Sequence, residues 1–316
     1  MAEHLTVTPT GTAILFEDGI GTSAWRSYRI AQLPERFMDD REDLAVEYVR
    51  EHGTKLPSVT TILGATIEKP GLQWAAARMT AKACGELAKE GKLPPSPDEV
   101  WDVLYREGLT FRQQWDNKAD RGTLTHEDLV HIAEGRELPS LNTYPPEQQQ
   151  FVRGLACFLA DLRPGIIESE QMVASLSHGY AGRCDLVVEF EAQRFPDGTP
   201  TPQGRGLVDL KTHEKLPRTK PSKTYPDGQL KTPYPENFLQ LGLYEVARRE
   251  CGLEATDWQA ILTVDANGDY DFTCSWLQPE AALDFIPAYK TFKAVGSRVK
   301  RPADQLPVGL DGKAAA

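Results

Sequence analysis

GYAGRCDLV (179–187) is followed, across a turn-rich connection, by GLVDLKT (206–212). Both runs are rich in Val and Leu and read as strands. Asp185 sits late in the first run, and Asp209 and Lys211 lie two residues apart in the second. Alternate residues on a strand face the same way, so Asp209 and Lys211 point together from an otherwise apolar element. Burying such charges is costly unless something uses them. Two carboxylates and a lysine on neighbouring strands can hold a hard cation and activate a water beside it.

Outward from these strands the pattern stays α/β. IIESEQMVASL (166–176) precedes them as a third strand, and YPPEQQQFVRGLACFLADLRPG (144–165) before it is an amphipathic helix ended by Pro164. After a long polar loop with five prolines (213–235), ENFLQLGLYEVARREC (236–251) is helical. WQAILTV (258–264) and YDFTCSW (270–276) are strands joined by the hairpin signal DANGD, and 279–295 closes with a helix. Helix, three strands, helix, two strands, helix predicts a core with a central mixed β-sheet flanked by helices.

The first half is mostly helical. TAILF (12–16) and WRSYRI (25–30) are candidate strands, and 39–51 a polar helix. In LPSVTTILG (56–64), Ser58 is the expected helix cap. Helices are expected over 71–91 and 98–119, the latter opened by Ser96 or Pro97. A separate helix over 122–135 is expected to be capped near Thr123 or Thr125 and stopped by Gly135.

Composition is that of a globular protein, at 40% hydrophobic and 26% charged residues. No apolar run reaches membrane-spanning length, and MAEHLTVTPT lacks the basic and apolar regions of a signal peptide, so the cytoplasm is the expected compartment. Five scattered cysteines without a CxxC pair argue against a zinc or iron–sulfur site. The net charge of −11 argues against a generic nucleic-acid binder, but the charge is uneven. Residues 211–231 hold six bases against two acids, and 288–301 hold five bases and no acid. A polyanion can be held locally despite an acidic whole.

The ordered series RGTLTH (121–126), ESEQMV (168–173), GRCD (182–185), DLK (209–211) and QLGLY (240–244) resembles the RecB-like branch of the PD-(D/E)XK nucleases. A lone DxK is weak; five pieces in order, each on its expected element, are specific. LPSVTTIL (56–63) looks like the segment preceding the core in phage exonucleases and in the mitochondrial genome-maintenance exonuclease. The CRISPR-associated members often carry a four-cysteine iron–sulfur cluster, and this chain departs from them in lacking that grouping.

The resemblance implies a restriction-endonuclease-like core over 143–301 and a helical region 57–142 contributing His126, leaving an N-terminal extension 1–56 and a tail 302–316 that reads as disordered from its composition. It implies a Mg²⁺- or Mn²⁺-dependent exonuclease acting on linear DNA, with Asp185, Asp209 and His126 as metal ligands and Lys211 orienting or deprotonating the attacking water. Glu170 is the expected acid of the first strand, with Glu168, on the same face, its rival. Gln240 and Tyr244, four apart on one helix face, are expected beside the site. Arg121, Arg183, Lys215, Arg218, Lys220 and Lys223 are expected along the DNA path, with Tyr225, Tyr234 and Phe238 available to stack on bases. Replication or recombination proteins are the expected partners. The rival readings are a structure-specific endonuclease of the same chemistry and a catalytically silent DNA-end binder.

Overall fold

The computed structural model describes residues 4–17, 27–34, 42–67, 70–216, 233–275 and 277–299. Arg218, Lys220, Lys223, Tyr225 and the tail lie outside them.

The N-terminal extension forms a sheet that includes both candidate strands. β1 (His4–Val7), β2 (Thr12–Glu17), β3 (Ser27–Gln32) and β4 (Thr54–Leu56) form an antiparallel sheet in that order. β2 alternates cleanly: Ala13 and Leu15 pack with Ala45 and Val49 of α1 (Glu42–His52), while Ile14 and Phe16 join the main core. Period-two patterning thus places this sheet between α1 and the rest of the protein.

Ser58 caps α2 (Val59–Thr66), its side chain accepting from the Thr61 N–H. α3 (Pro70–Lys89) and α4 (Pro97–Arg106) pair through a small core of Ala83, Leu87 and Leu104. α5 (Phe111–Ala133) begins at a capping box of Thr110 and Gln113. It corrects the expected boundary between two helices: the break falls at 107–110 rather than at 120–121, the chain runs unbroken through Gly122, and Thr125 is no cap. Gly122 passes close to the strand Gly206–His213, where an added Cβ would lie 3.3 Å from the Thr212 hydroxyl, and Thr125 donates back to the Arg121 carbonyl. His126 consequently sits well inside a long helix, whose interior turns are fixed by their ladder.

α6 (Pro146–Leu162) ends on Arg163 in the left-handed region, φ 45°. The main sheet then follows as β5 (Pro164–Ser175), β6 (Tyr180–Phe190), β7 (Gly206–His213), β8 (Trp258–Asp265) and β9 (Tyr270–Cys274), in that spatial order. β7 and β8 are parallel and the remaining pairs antiparallel, so the sheet is mixed. α7 (Pro235–Glu250) makes the parallel crossover. Leu241, Leu243 and Tyr244 cover one face, with Val173, Tyr180 and Leu207 beneath them. On the other face Phe151, Leu155 and Phe158 of α6 pack on Leu186, Val208 and Leu262. The closing helical stretch divides into a 3₁₀ segment, Pro279–Asp284, and α8 (Phe285–Val299). Among the described residues no helix is long and apolar enough to cross a membrane.

Candidate metal centre

A fork in the main sheet creates the site. β6 and β7 pair only from Leu186↔Val208 to Val188↔Gly206. Beyond that β6 follows β5 and β7 follows β8, and the strands part at Asp185 and Asp209. Backbone groups at such a fork need other partners. The Asp185 carboxylate supplies one, accepting the Leu210 N–H at 2.7 Å.

Glu170 faces this fork from β5. The pairs Ser169↔Leu186 and Gln171↔Cys184 put it opposite Asp185. Its φ is 50°, a left-handed conformation rare for a side-chain-bearing residue and costing about 1–3 kcal/mol. The Glu170 carboxylate lies 2.6 Å from Arg183 Nε and 3.7 Å from His126 Nδ1. His126 Nδ1 is also 3.6 Å from Asp185 Oδ2. One ligand atom from each of His126, Glu170 and Asp185 falls within 4.8 Å of the others, a grouping able to hold a metal ion. Two carboxylates and an imidazole suit a hard or borderline divalent cation.

Asp209 is not part of that grouping, which differs from the expected ligand set of Asp185, Asp209 and His126. The reason is local pairing. Asp209 is 1% exposed, with Lys211 Nζ 2.5 Å from Oδ2, and Gln240 Nε2 donating to Oδ1 at 2.8 Å. Gln240 also donates to the Tyr244 hydroxyl at 3.0 Å and accepts from Lys211 at 3.4 Å. Gln240 therefore ties Asp209, Lys211 and Tyr244 into one unit. The Tyr244 ring lies where β6 has Gly182: an added Cβ there would be 2.3 Å from Cε1.

The electrostatics follow from crowding. Burial pushes the Asp209 carboxyl up, Lys211 opposing and Asp185 reinforcing the shift. Burial works against the Lys211 charge, but Asp209 and Asp185 outweigh it and raise its pKa. His126 is opposed by burial too, yet Asp185 and Glu170 lift it to about 8. In metal-free protein this has a measurable sign. The folded pKa lies above the unfolded value of about 6.5. The stabilisation is therefore complete below pH 6.5 and is lost as pH rises through 8. Urea unfolding in EDTA should show about 1 kcal/mol less stability at pH 9 than at pH 7. His126→Ala should abolish that difference; a variant that keeps it would refute the assignment.

Other expected residues are dispersed. Glu168 pairs with Arg248 at 2.5 Å, away from the cation grouping. Arg121 pairs with Glu214 and lies over the Phe151 ring. Lys215 is exposed, as is Tyr234. Phe238 is 2% exposed within the main core, which corrects its expected availability for stacking: the third residue after the α7 Pro235 faces the sheet. Two contributors escape sequence reasoning. Phe16, from the N-terminal sheet, supports the Arg183 guanidinium at 5.5 Å from its ring centre. Nothing in the sequence signals that contact. Arg248 follows Gln240 and Tyr244 at four-residue spacing, and that helical repeat is the signal that places it on their face.

No protein-family model matches this chain, and no curated protein matches it.

Proposed function

We propose that this protein is a divalent-metal-dependent DNA exonuclease of the RecB-like PD-(D/E)XK type, using Mg²⁺ or Mn²⁺. The observation that carries the reading is the sheet fork, where Asp185, Asp209 and Lys211 converge opposite Glu170 and beneath His126. The order α6–β5–β6–β7–α7–β8, with β7 and β8 parallel, supports it as the order expected of that nuclease core.

His126, Glu170 and Asp185 would hold the cation, whose chemistry is to polarise a phosphodiester and acidify a bound water. The residues around it have separable tasks. Lys211, charged and 27% exposed at its side chain, faces the site and offsets negative charge growing on the phosphate. Gln240 fixes the Lys211–Asp209 pair, and Tyr244 buttresses Gln240. Arg183 holds Glu170 and lies beside the phosphate path. α5 walls the fork on the His126 side, an arrangement that favours a strand end over an uninterrupted duplex.

The test is hydrolysis of end-labelled linear single- and double-stranded DNA and of a closed circle, each with Mg²⁺, Mn²⁺ or EDTA. Metal-dependent loss of linear substrate with the circle spared is the expected result. Cutting of the circle would make the enzyme an endonuclease. DNA-end binding without cleavage would leave a clamp built on the same fold.

A further inference from the structure

We infer that the groove between α2 and α8 is a binding subsite for single-stranded DNA, in which bases stack and the backbone meets lysines. The inference rests on the nuclease reading and extends it to how the strand is held outside the metal centre. The groove encloses about 450 Å³. Gly64 and Ala65 of α2 leave its floor without bulky side chains, and Tyr289, Phe292 and Lys293 of α8 form the opposite wall. Phe292 is 56% exposed, so its ring is open to a ligand in the groove.

Charge selects the occupant. The chain carries −11, yet α8 holds no acidic residue over Phe285–Val299, while Lys290 and Lys293 are exposed. An aromatic rim beside positive charge matches the way single strands are bound without sequence preference: a basic track for phosphates and rings for bases. Thr60, at the near end, adds a hydroxyl to the lining. α2 also packs against β6, the strand that carries Asp185. Val59, the residue before Thr60, packs at Gly182 beside the Tyr244 ring, and Tyr244 accepts from Gln240, which holds Asp209.

The experiment uses the full-length protein. Binding of a fluorescein-labelled oligothymidylate is measured by anisotropy in EDTA. Turnover of a chromogenic nucleoside phosphodiester, too short to reach the groove, is measured in Mn²⁺. Phe292→Ala with Lys293→Ala should weaken oligonucleotide binding about tenfold, the order expected for losing one base stack, and leave turnover of the short substrate unchanged. Phe292→Trp should restore the affinity, with tryptophan fluorescence quenched on binding. Unchanged oligonucleotide affinity in the double variant overturns the subsite while leaving the nuclease reading intact. An equal fall in short-substrate turnover also overturns it, because the substitutions then act on the metal centre. Wild-type protein that neither binds nor cleaves DNA removes both readings together.

Discussion

Replacing Lys211 by alanine is expected to lower metal-dependent DNA hydrolysis by a factor of about 10³, the scale of losing a preorganised charge at a reacting phosphate. Lys211 is poised for that role by its surroundings. Asp209 and Asp185 keep it protonated against burial, and Gln240 restricts where its ammonium can go. It is not one of the cation-holding groups, so Mn²⁺ binding measured by calorimetry should stay within a few-fold of wild type. That pairing of results separates a lost catalytic charge from a collapsed site. The substitution does leave Asp209 without its cation at 1% exposure. Burial already favours its neutral form, so uptake of a proton limits the damage. Lys211→Ala with Asp209→Asn should therefore melt close to wild type and remain inactive. Cleavage by Lys211→Ala within tenfold of wild type would sink the proposed mechanism.

Much of this architecture is legible in the sequence where burial imposes a period. β5 to β8 are apolar runs bounded by turn signals, and α6 keeps Phe151, Leu155, Phe158 and Leu162 on one buried stripe. β1 and β4 are not legible because strands of four and three residues carry too few positions for a period to show. α5 is misread because Gly122 looks like punctuation, whereas tertiary packing on β7 gives a helical glycine a use. Within the site, spacing alone brings Asp185, Asp209 and Lys211 together. The choice between Glu168 and Glu170 shows where that logic stops. Two residues apart on a strand, they should share a face. The left-handed backbone of Glu170 breaks the alternation between them, just after a register shift between Ile166 and Glu168 that resets the face on which Glu168 emerges. Glu168 turns to Arg248 on α7, and Glu170 turns to His126 and Arg183. Neither the shift nor the positive φ has a sequence signature, since neither residue is a glycine.

That division of labour makes Arg248 the substitution with the largest expected effect on stability. Arg248 is 1% exposed and reaches Glu168 through both terminal nitrogens, at 2.5 and 3.1 Å, with a further bond to the Glu254 carbonyl at 3.1 Å. Burial opposes its charge, but the Glu168 hydrogen bond and neighbouring acids raise its pKa, so it stays a cation. Arg248→Ala should cost about 3–5 kcal/mol, the range for removing one partner of a buried pair. The loss concentrates on Glu168. The nearby Glu245 keeps Arg249 at 2.9 Å and the Thr256 hydroxyl at 2.8 Å, whereas Glu168 keeps no other ion-pair partner among the described residues. Arg248→Met combined with Glu168→Gln removes both charges and should recover most of the stability. It should not recover the site. Without the Arg248 clamp, the strand two residues before Glu170 loses its anchor, and Glu170 is free to relax from its left-handed conformation to an extended one. Mn²⁺ affinity should then fall about tenfold or more, as for other supports of a metal ligand, in a protein whose unfolding midpoint is near wild type. If the double variant instead binds Mn²⁺ normally, the geometry of Glu170 is set by β5 and β6 alone, and Arg248 is a structural residue only.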